Sequence, residues 1–132
     1  MQIAIVMTPG VAWVRSDDTL QHAASLMRGA RVGALAVFEG DFLAGIITER
    51  DLVPVVADGL DAGAIRVAER MTPDPALAFP YEDSTIVAGR MAELGIRHLP
   101  VVDQGRLIGM VSARDLLIVE ATPPIARPPE AG

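Results

Sequence analysis

The chain repeats itself. Shifting the 132-residue sequence by 64 positions brings Met7-Thr8-Pro9 onto Met71-Thr72-Pro73 and Arg50-Asp51-Leu52 onto Arg114-Asp115-Leu116. The same register pairs Ala24 with Ala88, Met27 with Met91, Leu35 with Leu99, Val37 with Val101, Leu43 with Leu107 and Gly45 with Gly109. Across positions 4–57 sixteen residues are identical without a gap. Such a duplication is one structural unit written twice, so both copies must reach the same local fold. A unit of about 50 residues is marginal alone, but two copies can bury their sheets against each other.

Each copy reads β-α-β-β-α. Proline disfavours helix at the residue before it, so Met-Thr-Pro leads into an extended segment, Val11 to Val14 first and Pro75 to Phe79 second. Ser16-Asp17-Asp18 and Glu82-Asp83-Ser84 offer N-caps for helices reaching about Arg28 and Leu94. Leu20, Ala23, Ala24 and Met27 share one face at helical spacing. Two strands joined by a Gly-containing turn come next, at 34–38 and 42–47, then at 98–102 and 106–111. A last helix follows Thr48 and Ser112, and Pro54 is expected to kink or shorten the first of these. Residues 1–57 then form one repeat, 58–64 a linker, 65–120 the second repeat, and 121–132 a disordered Pro-rich tail. The expected class is α+β: two repeats related by pseudo-twofold symmetry, with small sheets packed together and helices outside.

The strongest local pattern is Gly45-Ile46-Ile47-Thr48-Glu49-Arg50-Asp51, which returns as Gly109-Met110-Val111-Ser112-Ala113-Arg114-Asp115. It describes a strand ending on a hydroxyl residue that caps a new helix. The free amides and positive dipole end of such a helix can seat an anion. The Asp on its first turn can accept hydrogen bonds from sugar hydroxyls. An ordinary capping box gives the same pattern, and it suffices for a single copy; two copies at one spacing raise the weight of a ligand site.

Arg50 and Arg114 sit inside these motifs. Each either grips a phosphate through its planar fork or pairs with a surface carboxylate. His98 opens a strand, as a phosphate contact or a satisfied core histidine. His22 has no partner at metal-ligating spacing and reads as part of a solvated helix face. Trp13 reads first as core of the opening strand and second as a wall of a ligand pocket. The six methionines read as core fillers. Asp51 and Asp115 lack a nucleophile or base partner nearby in sequence, so they do not read as catalytic.

Composition removes several function classes. There is no cysteine, which excludes disulfides, thiolate metal sites and thiol catalysis. The formal charge is −6 and no basic cluster stands out, so nucleic acid is not an expected partner. All 11 basic residues are arginine. No apolar run approaches the ~18–20 residues that span a bilayer. The first basic residue is Arg15, too late for a secretory n-region. A soluble cytoplasmic protein is expected, without membrane contact.

Together these residues resemble a tandem CBS-domain pair, the Bateman module, over residues 1 to about 120. The likeness rests on the Met-Thr-Pro openings, Arg97-His98-Leu99-Pro100-Val101-Val102-Asp103, and the two Gly-x-x-[Ser/Thr]-x-x-Asp stretches. It implies a regulatory module that often binds AMP, ADP, ATP or S-adenosylmethionine. Thr48, Asp51, Ser112 and Asp115 match positions that contact phosphate and ribose in the family. Apolar residues and backbone near the first two strands hold the adenine there. Arg97 and His98 match positions at which some relatives contact phosphate. The first copy has Gly33-Ala34 instead, and Leu35-Ala36-Val37-Phe38 without the proline. One pocket is therefore expected to take a phosphorylated ligand and the other a nucleoside or nothing.

The resulting expectation is a stand-alone, non-enzymatic regulatory protein. It needs no cofactor or metal, binds an adenosine-containing ligand and signals its state to a partner protein. A homodimer is expected through the apolar faces of Leu52, Val55 and Val56 and of Leu116, Leu117 and Val119. The alternative is a ligand-free scaffold acting through dimerisation and protein–protein contacts.

Overall fold

Residues 1–117 are described by a computed structural model. The first half runs through a one-turn helix α1 (Ile3–Val6), β1 (Thr8–Pro9), β2 (Trp13–Arg15), α2 (Leu20–Ala30), β3 (Ala34–Glu39), β4 (Phe42–Thr48) and α3 (Glu49–Ala57). The second opens on a 3-10 turn at Val67–Glu69, then has β5 (Thr72–Pro73), α4 (Ser84–Leu94), β6 (His98–Asp103) and β7 (Arg106–Ser112).

Local chemistry sets these limits. The Thr19 hydroxyl accepts the His22 amide at 3.1 Å and starts α2, just after the Ser16-Asp17-Asp18 expected to cap it. The Asp83 carboxylate accepts the Thr85 amide at 3.0 Å and starts α4. Both helices stop at a left-handed residue, Arg31 at φ 56° and Gly95 at φ 66°. The β3–β4 and β6–β7 hairpins carry a bulge at the same point, after Val37 and after Val101. Helix α3 does not stop at Pro54: it continues to Ala57, and its nine residues compare with eleven in α2 and in α4.

The halves exchange their opening segments. One sheet has the order β2-β3-β4-β5 and the other β1-β7-β6. Thus β5, from the second half, lies antiparallel on β4 with Ile46 opposite Thr72. Reciprocally β1 lies on β7 with Thr8 opposite Met110. The Ile3 amide donates to the Glu82 carbonyl at 2.9 Å, and the Val67 amide to the Asp18 carbonyl at 2.8 Å. Ile3 is buried with Leu99, Val101 and Val111 in one core; Val67 is buried with Leu35, Val37 and Ile47 in the other. Burying either side chain is worth about 1.5–3 kcal/mol, so the exchange is a substantial tie. The repeat in sequence and the unit of packing are offset: each copy lends its first turn to the other's core.

Two expectations need correction. The second copy has no strand over Pro75 to Phe79: Ala78 makes one isolated parallel bridge to Val101, whereas β2 pairs with β3 over three residues. Pro75 and Pro80 bracket this segment and cannot donate to a ladder. Trp13 is not core. On a three-residue strand alternation turns Val14 inward and its neighbours out. Trp13 is 48% exposed, edge-on to Phe38 at 5.8 Å between centroids, with the Arg15 guanidinium 5.5 Å over its ring.

After Ser112 the chain turns, with the Asp115, Leu116 and Leu117 amides bonded to carbonyls three residues back. The remainder of the expected last helix, including Val119, and the expected tail at 121–132 lie outside the described residues. Among the described residues no helix is long and apolar enough to cross a membrane.

Candidate functional site

The two repeated motifs form the same local device. At the β4–α3 junction the Thr48 amide donates to Asp51 Oδ2 at 2.8 Å, and Thr48 Oγ1 donates to the same oxygen at 3.2 Å. After β7 the Ser112 amide donates to Asp115 Oδ2 at 2.8 Å, while the Asp115 amide donates to Ser112 Oγ at 3.1 Å. The carboxylate arm of the capping box is therefore made in both copies, and the hydroxyl arm by Ser112, whereas the Thr48 hydroxyl donates to Asp51. Each carboxylate spends one oxygen on its cap. Among the described residues Oδ1 of neither takes part in a hydrogen bond, so each retains an acceptor.

Each device opens on a cleft between the halves. The larger cleft, about 1250 Å³, places Ser112, Arg114 and Asp115 opposite Gly10 to Ala12, Gly33, Ala34 and the end of α2. The smaller, about 250 Å³, places Thr48, Arg50 and Asp51 opposite Pro75, Ala76 and Gly95 to His98. The 64-residue register maps one lining onto the other: Val11 onto Pro75, Ala12 onto Ala76, Gly33 onto Arg97, Ala34 onto His98, and Asp51 onto Asp115. Each cleft thus takes its capping box from one copy and its facing wall from the other. All eight residues singled out by sequence line a cleft. Arg97 and His98 line both, together with Gly33 and Glu49.

That shared wall is tightly built. The Glu49 amide donates to the Gly33 carbonyl at 3.0 Å, and the equivalent Ala113 amide to the Arg97 carbonyl at 2.7 Å. A β-carbon on Gly33 would stand 3.2 Å from Glu49 Cδ. His98 is half-buried. Its loss of water holds the ring below the ordinary histidine pKa, although Glu49 and Asp115 pull the other way; Arg97 adds to the lowering. Arg50 and Arg114 are exposed, and among the described residues neither forms an ion pair, so their surface-pairing reading is not what the structure shows. His22 is exposed on α2. Among the described residues no group of three or more His, Asp or Glu is placed to hold a metal ion.

Sequence reasoning gave the motif glycines no role. A β-carbon on Gly45 would stand 2.7 Å from the Thr72 carbonyl oxygen, and one on Gly109 2.8 Å from that of Thr8. These glycines admit the exchanged strands. Glu49, Arg28 and Arg31 were also missed as cleft residues; nothing in their spacing distinguishes them from solvated helix charges.

The family model for the CBS domain matches twice, over residues 3–58 and 64–121. The chain is 39% identical over 113 residues to the CBS domain-containing protein YhcV of Bacillus subtilis, covering 85% of this chain and 80% of that protein. It spans 23 to 54% of the length of three other curated relatives. A structure of a protein with CBS domains from Burkholderia ambifaria superposes with a TM-score of 0.82 at 36% identity, covering 88% of this chain and 90% of the other. A CBS domain protein from Pyrobaculum aerophilum, complexed with AMP, shares the fold with a TM-score of 0.79 at 23% identity, over 87% and 89% of the two chains.

Proposed function

Because this chain belongs to the CBS-domain family, with two such domains in tandem, we propose that it is a regulatory module. Its clefts take an adenosine-containing ligand (AMP, ADP, ATP or S-adenosylmethionine), and their occupancy is signalled to a partner protein. The observation that carries this reading is the doubled capping box, each copy leaving one carboxylate oxygen free beside a cleft.

In this reading Asp51 and Asp115 accept hydrogen bonds from ribose hydroxyls. Thr48, with the α3-start amides behind it, and Ser112, with the amides of the turn that follows it, face a phosphate. Arg50 and Arg114 add charge from the motifs, and Arg97 and His98 add it from the shared wall. The adenine lies on the apolar wall of Val11 and Ala12 in one cleft, or Pro75 and Ala76 in the other. The AMP held by the Pyrobaculum aerophilum protein shows what that protein binds; at its level of identity the likeness to this chain extends to the fold. The reading assigns no bond-making step to any residue.

A ligand-free scaffold is the second reading, favoured by the apolar face that α3 leaves open: Val53 is 63% exposed and Val56 78%. Thermal melting and calorimetry with the four ligands separate the two. A ligand at a hundredfold excess over Kd stabilises by about 2.7 kcal/mol, a rise of several degrees for a domain of this size. Asp51→Ala and Asp115→Ala each unpair ribose hydroxyls, at roughly 1–3 kcal/mol or ~5- to 150-fold in affinity. Each also removes part of a helix cap, about 1 kcal/mol of stability, so the unliganded variants are melted first. No shift at millimolar ligand gives the scaffold reading precedence. A shift that survives both substitutions means that the ligand lies elsewhere.

A further inference from the structure

The two clefts are equivalent in backbone but not in where they carry positive charge. In the smaller cleft Arg97, beside His98, stands at the start of β6 and Arg50 in the motif, while the end of α4 is small, with Ala92 and Gly95 at the positions equivalent to Arg28 and Arg31. In the larger cleft this is inverted: the start of β3 is small, with Gly33 and Ala34, and the end of α2 presents Arg28 and Arg31. Because Arg97 also reaches the larger cleft, four guanidinium groups (Arg28, Arg31, Arg97, Arg114) face two carboxylates, Glu49 and Asp115. The smaller cleft has two of each.

Arg31 holds its place against a backbone preference. Its φ is +56°, in the left-handed region that β-carbon-bearing residues rarely adopt, and the equivalent residue is glycine. A long cationic side chain retained at such a position, lining a cleft, is the kind of outlier from which a role is inferred. Arg28 lies in the last turn of α2, three residues before this cap, and lines the same cleft. Both are exposed, and among the described residues neither is in an ion pair. Each guanidinium fork matches the oxygens of one phosphate.

We propose that the larger cleft selects nucleotides carrying two or more phosphates, with Arg31, assisted by Arg28, as the specificity-determining residue. This rests on the adenosine-ligand reading and adds to it. The Ser112–Asp115 device anchors the nucleoside and first phosphate, and the end of α2 receives the outer phosphates. The smaller cleft, balanced in charge and about one-fifth of the volume, has no such second cluster.

The test is calorimetry of the full chain with AMP, ADP and ATP, using inorganic tripolyphosphate as a nucleoside-free probe. Arg31→Gly installs the residue that the equivalent position already holds, so the unliganded variant melts at or above the wild-type temperature. Its affinity for ATP falls about tenfold, the scale of one charge-assisted contact, its affinity for AMP stays within about twofold, and tripolyphosphate loses its ability to displace ATP. Arg31→Lys restores part of the ATP affinity by returning charge without the fork. Equal wild-type affinities for AMP and ATP overturn the proposal while leaving the nucleotide reading intact. So does an Arg31→Gly variant that binds ATP as wild type does, or that weakens AMP and ATP alike. A wild-type protein that binds none of the three nucleotides overturns the proposal, and one that also fails to bind S-adenosylmethionine overturns the adenosine reading with it.

Discussion

Gly109 lies so close to Thr8 that a β-carbon on the glycine would stand 2.8 Å from the threonine carbonyl oxygen. The obstructing atom is backbone in a paired strand and cannot swing aside. Gly109→Ala, and Gly45→Ala against Thr72, are therefore expected to lower stability by about 1–3 kcal/mol, as overpacking does. Gly89 is the control: it lies within α4, and nothing stands within 4 Å of an added β-carbon. Gly89→Ala is expected to raise stability by about 0.5–1 kcal/mol. Thermal melts of the three variants decide the matter, and equal effects at Gly89 and Gly109 contradict it.

The depressed pKa of His98 gives a pH dependence with a definite sign. Below its ordinary value of 6.5 the unfolded chain takes up the proton first, so stability is constant above about pH 6.5 and falls as pH drops from there through the lower folded value. His98→Asn is expected to flatten that slope in denaturant titrations between pH 7 and 5. A bound anion reverses the local balance by favouring the imidazolium. Phosphorylated ligands are thus expected to bind more tightly at pH 6 than at pH 8, an advantage absent from His98→Asn.

A second acid-sensitive contact lies outside the clefts. Arg90 Nη1 donates to Glu82 Oε1 at 2.9 Å and to the Leu77 carbonyl at 2.8 Å. Glu82 Oε1 also accepts the Phe79 amide at 2.9 Å. These bonds hold the strand-less segment before α4. The Arg90 hydrogen bond holds the Glu82 pKa below its ordinary 4.5, against some desolvation. Its stabilising effect is present in full above that value and is lost as pH falls through the folded pKa. Arg90→Leu leaves the carboxylate and the Leu77 carbonyl short of a partner, so roughly 1–2 kcal/mol should be lost at pH 7. The difference from wild type should shrink at pH 3, where both carry a protonated Glu82.

The open face of α3 predicts self-association. Of the face expected from sequence, Val55 is buried in the first core and Leu52 packs against it; Val53 and Val56, three residues apart and both largely exposed, form the open side of the helix instead. Light scattering at tens of micromolar is expected to show a dimer for the wild type and a monomer for Val56→Asp, with unchanged circular dichroism. A monomeric wild type removes the proposal.

The parts of the fold legible in the sequence are those whose signals are local. The hairpins of β3–β4 and β6–β7, the helices α2 and α4 and the capping boxes at Thr48 and Ser112 each follow from a few adjacent residues. What was not legible depends on distant partners. Nothing around Ile3 indicates that it belongs with Leu99, because two residues of pairing at Thr8–Pro9 are too short for a strand pattern. The left-handed positions escaped for a related reason. Glycine marks each in one copy only: Gly10 against Asp74, Gly95 against Arg31, Gly40 against Gln104. The site was legible as a set of residues but not as a partition, since each cleft's two walls come from different copies.

The exchanged opening segments also set an order of events during synthesis. Thr8 pairs with Met110, 102 residues later in the chain. At 5–20 residues per second, roughly 5–20 s separates their emergence from the ribosome. The first core needs nothing beyond Val67 and β5, and it can close while the rest is still being made. Ile3 cannot be placed until β6 and β7 exist. Ile3 and Thr8 are made well before the strands that cover them, and throughout that interval the Ile3 side chain lacks its core.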